Sequence, residues 1–304
     1  MKRRTFLCAG VGIALGGLAI GCASYLEGDA ATPSATVSMG TGTYTTHTYR
    51  SIQRQHMTYY LYMPKNYDPR QKYPLVLLLH GGGERSKPKN SADQNKALLM
   101  NEQYVQIWGP GYHAQSAASV QARWPCFVVV PQIPDTRRWV DVPPQQGSYV
   151  LAPKPDALLQ AAKDIVDALQ CIYPAIDATR LYITGISMGG YGTWEAIERW
   201  PDYFAAAAPL AGAGDPSKAP ALIHKPIWAF HGSADTTVPP SGSRDMIAAI
   251  RAAGGQPRYT EYSGMGHVIW NTIYSPQAIM SSDSLFSWLF SQRNPGNSPR
   301  ICNT

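Results

Sequence analysis

Leu181-Tyr-Ile-Thr-Gly-Ile-Ser-Met-Gly-Gly-Tyr-Gly192 decides how this chain folds. Residues 181–184 have the length and apolar character of a short buried strand, and residues 188–200 have the spacing of a helix. Between them stands Gly185-Ile-Ser-Met-Gly189, a G-x-S-x-G pattern. Its glycines relieve crowding in a sharp strand-to-helix turn that lifts a serine hydroxyl clear of the sheet edge. That hydroxyl also meets the positive end of the helix, where a developing oxyanion is favoured. A chain with 27 glycines can carry the pattern by chance, so the flanking context matters, and both strand and helix are present. Ser187 is the candidate nucleophile. It needs a base and an acid from elsewhere in the chain.

Upstream, Pro74-Leu-Val-Leu-Leu-Leu-His80 reads as a strand covered on both faces. It runs into Gly81-Gly-Gly-Glu-Arg85, where backbone N–H groups can approach a ligand closely. Beside a serine turn, such a loop supplies one oxyanion donor, assigned to Gly82, and the N–H of Met188 supplies the second. Residues 43–50 and 55–62 alternate as two antiparallel edge strands do. The less regular segment 86–123 is expected to form a lid or pocket wall, with a helix over residues 97–108. Cys126-Phe-Val-Val-Val130 is a further buried strand, ending in Pro131-Gln132. The proline-rich residues 134–155, with Trp139 and Tyr149, read as loop. Leu158, Leu159, Ile165, Val166 and Leu169 give residues 156–170 a helical stripe with Asp156 as its cap.

Downstream, strands are expected at 204–210, 226–231 and 258–262, with helices at 241–253 and 282–290. The alternation predicts an α/β fold with a doubly wound, mostly parallel sheet and antiparallel N-terminal strands. Asp235 follows the second of these strands and His267 follows the last, in Gly264-Met-Gly-His267. Ser187, Asp235 and His267 therefore share one edge of the sheet despite their separation in sequence, in the chain order α/β-hydrolases use. In this reading His267 is the base and Asp235 holds its tautomer. His80 and His231 each precede a glycine at a strand end and are expected to support loops instead. Asp215, after the preceding strand, is the alternative acid. No metal or organic cofactor is called for.

The 304 residues are 44% hydrophobic and 15% charged, which suits one large domain. The formal charge of +6 includes Lys2, Arg3 and Arg4; without them 23 basic residues face 20 acidic ones. No basic run with interleaved aromatics appears, which argues against nucleic acid as a partner. Met1-Lys-Arg-Arg-Thr-Phe-Leu7 and the apolar stretch after it read as a twin-arginine export signal over residues 1–21. Leu18-Ala-Ile-Gly-Cys22 reads as a lipoprotein box that would anchor the protein through Cys22, although Ala19 stands where a large aliphatic is usual. The alternatives are a simple leader cleaved near Ala23 or an uncleaved anchor. Residues 22–42 are expected to be a flexible tether, 43–293 the catalytic domain and 294–304 a tail. Of the remaining cysteines, Cys126 reads as a buried hydrophobe, with Cys171–Cys302 or Cys126–Cys171 as candidate bridges.

Several linked motifs carry a family resemblance: His80-Gly-Gly-Gly-Glu-Arg85, Pro131-Gln132 with Trp139, Thr184-Gly-Ile-Ser-Met-Gly-Gly-Tyr-Gly-Thr-Trp194, Trp228-Ala-Phe-His-Gly-Ser-Ala-Asp235 and Val238-Pro239. With residues 262–270 they resemble the α/β-hydrolase esterases related to polyhydroxybutyrate depolymerases, feruloyl esterases and dienelactone hydrolases, often called predicted peptidases of prolyl-oligopeptidase type. The resemblance spans residues 55–292. It implies carboxylic-ester hydrolysis by Ser187, Asp235 and His267. A small-molecule or polysaccharide-linked ester is the expected substrate, and the leader places the protein in the cell envelope or periplasm. Gly82 departs from the alanine common in the group, but the N–H donor survives that change. Gln132, Trp139 and Trp270 are the expected substrate contacts. A serine peptidase and a non-catalytic envelope binding protein are the competing readings; all three triad candidates being present argues against the second.

Overall fold

The computed structural model describes residues 25–27, 41–50, 56–111 and 119–298. The leader and Cys22 lie outside them, as do residues 299–304. Nine strands form one sheet among the described residues: β1 (Tyr25–Glu27), β2 (Tyr44–Arg50), β3 (His56–Tyr62), β4 (Tyr73–Leu79), β5 (Phe127–Gln132), β6 (Ile176–Ile186), β7 (Ala206–Leu210), β8 (Trp228–Gly232) and β9 (Arg258–Tyr262). Their order is β1-β2-β3-β5-β4-β6-β7-β8-β9. The pairs from β1 through β3 to β5 are antiparallel, and every pair from β5 and β4 to β9 is parallel. This is the α/β-hydrolase arrangement the sequence predicts. The helices are α1 (Ala92–Met100), α2 (Gln103–Gln106), α3 (Val120–Arg123), α4 (Ala157–Ile172), α5 (Met188–Arg199), α6 (Ser241–Ala252), α7 (Trp270–Ile273), α8 (Pro276–Met280) and α9 (Leu285–Ser291). None is long and apolar enough to cross a membrane.

Why β4 reads as an unbroken apolar run is plain from its surroundings: all seven residues are buried. Successive side chains point to opposite faces. Leu75, Leu77 and Leu79 join the core that includes Leu159, Ile165 and Val166 of α4 and Trp194 and Ile197 of α5. Val76 and Leu78 join the other core, with Leu99, Tyr104, Trp108, Phe286 and Leu289. Each leucine buried this way contributes about 2 kcal/mol. α4 begins where its cap is expected, with the Asp156 side chain accepting from Leu158 N–H at 2.8 Å.

Some boundaries differ from the sequence reading. The helix expected at 97–108 is broken: α1 starts earlier, at a capping box formed by Ser91 and Gln94, and ends before Glu102. Leu99, Tyr104, Val105, Ile107 and Trp108 are fully buried in the core, so this segment packs beneath the sheet and is not a lid. Tyr25–Glu27, inside the stretch read as tether, pair with Thr48–Arg50 as an edge strand. Asn294 and Asn297, inside the stretch read as tail, bond to the body of the domain. Cys126 is a free, buried thiol, which excludes its bridge to Cys171. Cys171 is itself disulfide-bonded.

Candidate active site

The parallel strands point their C-terminal ends at one edge of the sheet, and the candidate residues gather there. At the end of β6 the chain turns within one residue into α5. Ser187 at the turn has φ 53° and ψ −117°, a strained conformation for a residue with a side chain. Glycine is required on both sides. A Cβ on Gly185 would lie 2.4 Å from Gly189 O, and one on Gly189 would lie 2.1 Å from Leu79 O. The turn is thus pressed against the end of β4.

His267 Nε2 lies 2.8 Å from Ser187 Oγ, and His267 Nδ1 lies 2.7 Å from Asp235 Oδ2. The Asp235 side chain is fully shielded from solvent, whereas that of His267 is 17% exposed. The other Asp235 oxygen, Oδ1, accepts from the N–H groups of Thr237 and Val238 at 2.8 and 2.9 Å. Burial pushes the Asp235 carboxyl up, but donors from His231, His267 and Val238 outweigh it and hold the group well below the usual carboxylate range. It stays an anion able to orient the imidazole and stabilise its cation. Asp215, the alternative acid, accepts from Leu151 N–H and caps a short 3₁₀ turn through Ser217 N–H.

Beside Ser187 opens a cavity of about 180 Å³ lined by Gly82, Arg85, Arg138, Val140, Val142, Pro144, Met188, Tyr191 and Thr237. Gly82 and Met188 both reach it, as the oxyanion reading requires. Met188 is the first residue of α5, where an N–H has no acceptor within its own helix. The expected substrate contacts fare differently. Trp139 is completely buried and its indole donates to His80 O at 3.0 Å. Gln132 is spent on Tyr60 Oη, Glu84 O and Asn95 O. Trp270 stands perpendicular to the His267 ring with centroids 5.3 Å apart. Core packing and loop bracing claim the first two, and the third lies against the imidazole outside the cavity lining. Beside Gly82, Ser187 and Met188 the wall is built from side chains that the sequence reading did not assign to substrate, such as Arg138, Val140 and Val142. Of these, Arg138 sits directly beside Trp139 in the proline-rich loop, a position that could have drawn notice.

His80 and His231 brace loops, as expected. Nδ1 of His80 meets Gly81 O at 2.7 Å, and its Nε2 accepts from Ile133 N–H at 3.2 Å, tying the glycine loop to the end of β5. His231 bridges Ser243 and Val238 O and reaches Asp235 Oδ2 at 3.3 Å. No group of metal-binding side chains occurs among the described residues.

A protein-family profile described as "Putative esterase" matches residues 51–272. The chain belongs to that family. It is similar to a thermostable esterase of known structure, with 33% identity and a TM-score of 0.64 over 82% of this chain and 63% of that one. A ferulic acid esterase structure, 17% identical with a TM-score of 0.52 over 78% and 95% of the two chains, shares the fold. Among curated sequences, a bifunctional acetylxylan esterase/xylanase from Neocallimastix patriciarum is 26% identical over 191 residues. A protein described as "Putative carboxymethylenebutenolidase" from Salmonella typhimurium is 29% identical over 151 residues. These matches cover 63% and 47% of this chain but only 23% and 55% of those proteins.

Proposed function

We propose that this protein is an exported serine hydrolase that cleaves carboxylic esters through an acyl-enzyme. The observation that carries the reading is the unbroken relay from Ser187 Oγ to His267 Nε2 and from His267 Nδ1 to Asp235 Oδ2, at 2.8 and 2.7 Å. His267 takes the Ser187 proton as Oγ attacks the ester carbonyl. Asp235 fixes the Nδ1–H tautomer and stabilises the imidazolium. The N–H groups of Gly82 and Met188 bind the oxyanion, each lowering the barrier by about 3 kcal/mol. His267 then protonates the leaving alkoxide and activates the water that releases the acid.

The relatives' names favour a small or polysaccharide-linked ester as substrate. Export rests on the twin arginines at Arg3 and Arg4, and anchoring on lipidation of Cys22. Hydrolysis of 4-nitrophenyl esters from acetate to decanoate by the purified protein and by Ser187→Ala tests the core of the proposal. The variant should lose about 10⁴-fold or more of kcat/KM. Equal rates from a folded variant would sink it. A parallel assay on 4-nitroanilides and peptides separates ester from amide cleavage.

A further inference from the structure

The cavity beside Ser187 holds two arginines and no acidic side chain. Arg85 is braced by backbone carbonyls alone: Nε donates to Gly82 O at 2.8 Å, and Nη1 donates to Asp135 O at 2.6 Å and Arg137 O at 3.3 Å. Its Nη2 is the atom nearest the position a Cβ on Gly82 would take, at 4.0 Å. Arg138 is braced by Nη1 donating to Val142 O at 2.8 Å. Among the described residues neither guanidinium pairs with a carboxylate, although Arg70, Arg137, Arg180, Arg199, Arg244 and Arg258 all do. Carbonyl bonds fix a guanidinium in place without cancelling its charge. Two half-buried cations are therefore held beside the nucleophile, and Val140, Val142 and Pro144 give the wall an apolar stretch next to Tyr191 and Thr237.

We infer that this cavity selects esters carrying a second, ionised acid group, with Arg138 and Nη2 of Arg85 as its counter-charges. The inference rests on the ester-hydrolase reading and adds a substrate class to it. A planar fork of donors matches a carboxylate, and the apolar stretch of wall takes the short carbon chain or ring between that carboxylate and the scissile bond. A neutral ester of the same shape leaves both cations without a counter-ion in a partly dehydrated site, which costs affinity. The ionised group can belong to the acyl half or to the alcohol half of the ester. Both present the same chemistry to the arginines.

Two matched pairs distinguish the halves. Mono(4-nitrophenyl) glutarate against its methyl ester probes the acyl side. 4-Acetoxybenzoate against methyl 4-acetoxybenzoate probes the alcohol side. Spontaneous hydrolysis is subtracted throughout. In one pair the purified protein should favour the anion in kcat/KM by about tenfold or more, as one charged hydrogen bond provides. Arg138→Gln should collapse that anion-to-neutral ratio, and Arg138→Lys should restore part of it. Because the readout is a ratio within one preparation, partial misfolding of a variant does not imitate the effect. Turnover of the neutral partners at equal or higher rates in both pairs overturns the inference and leaves the esterase reading standing. A ratio unchanged in Arg138→Gln also overturns it. No turnover of any of the four esters overturns both readings together.

Discussion

At the scale of single residues, the fate of a polar side chain at this sheet edge is decided by what it is bonded to. His267 keeps one nitrogen for Ser187 and one for Asp235, whereas both nitrogens of His80 are spent on backbone groups. Burial, opposed by the Gly81 bond and reinforced by Arg85, lowers the His80 pKa to about 4. An unfolded histidine takes up its proton near pH 6.5. Between these values the unfolded chain binds more protons than the folded one, so stability falls as pH drops through that window. Protonation linked to His80 should remove about 3 kcal/mol by pH 4. Denaturant midpoints measured from pH 7.5 to 4 should show this slope in the natural protein and a shallower one in His80→Gln. Parallel slopes would assign the acid sensitivity to other groups. Ser187, His267 and the bracing histidines were legible in the sequence because each sits at a strand end with a distinctive neighbour. Gln132 and Trp139 were misread because a side chain beside a loop looks the same whether it turns toward the pocket or into the core.

At the scale of elements, the turn between β6 and α5 explains why the defining stretch is so short of side chains. Its two framing glycines meet backbone, which cannot move aside as a flexible side chain can. Gly189→Ala would drive a Cβ to 2.1 Å from Leu79 O, forcing α5 away from β4 and Ser187 away from His267. Loss of folded protein, or a destabilisation above about 4 kcal/mol, is expected. Gly83 offers the contrast within the neighbouring glycine loop: nothing lies within 4 Å of the Cβ position there, and its φ is not positive. Gly83→Ala should leave the thermal midpoint within a few degrees of the natural protein. A thermal melt of both variants settles the comparison, and equal damage would contradict it. Continuous apolar strands such as β4 and the capped α4 were legible for the same local reasons. Broken helices were not: α1 and α2 carry polar residues among core ones, and only tertiary burial of Leu99 and Tyr104 shows where they pack.

At the scale of the whole molecule, the two ends of the described chain attach to the domain in unequal ways. We propose that residues 43–293 contain the catalytic unit but that its C-terminal limit extends past them. β1 contributes three residues at the outer edge of the sheet and, among the described residues, pairs with β2 alone. The last residues are stitched inward. Asn294 N–H donates to Thr179 O at 2.9 Å and its side chain to Asp202 O at 2.6 Å, while the Asn297 side chain bridges Ala178 O and Tyr203 O. These bonds tie the first half of β6, the strand that leads to Ser187, to the loop before β7. A polar, asparagine-rich stretch reads as tail in sequence, because nothing in it is apolar enough to announce a core contact. A chain beginning at Thr41 should therefore melt within about 3 °C of the full one and keep its ester turnover, since a short edge strand holds little of the stability. The double variant Asn294→Ala, Asn297→Ala gives up three side-chain hydrogen bonds of about 1 kcal/mol each and should melt about 8 °C lower. Differential scanning calorimetry of the N-terminal truncation and this double variant gives the ranking directly. If the N-terminal truncation is the more damaging, β1 and the residues around it belong to the folding unit, and the proposed boundary at residue 43 is wrong.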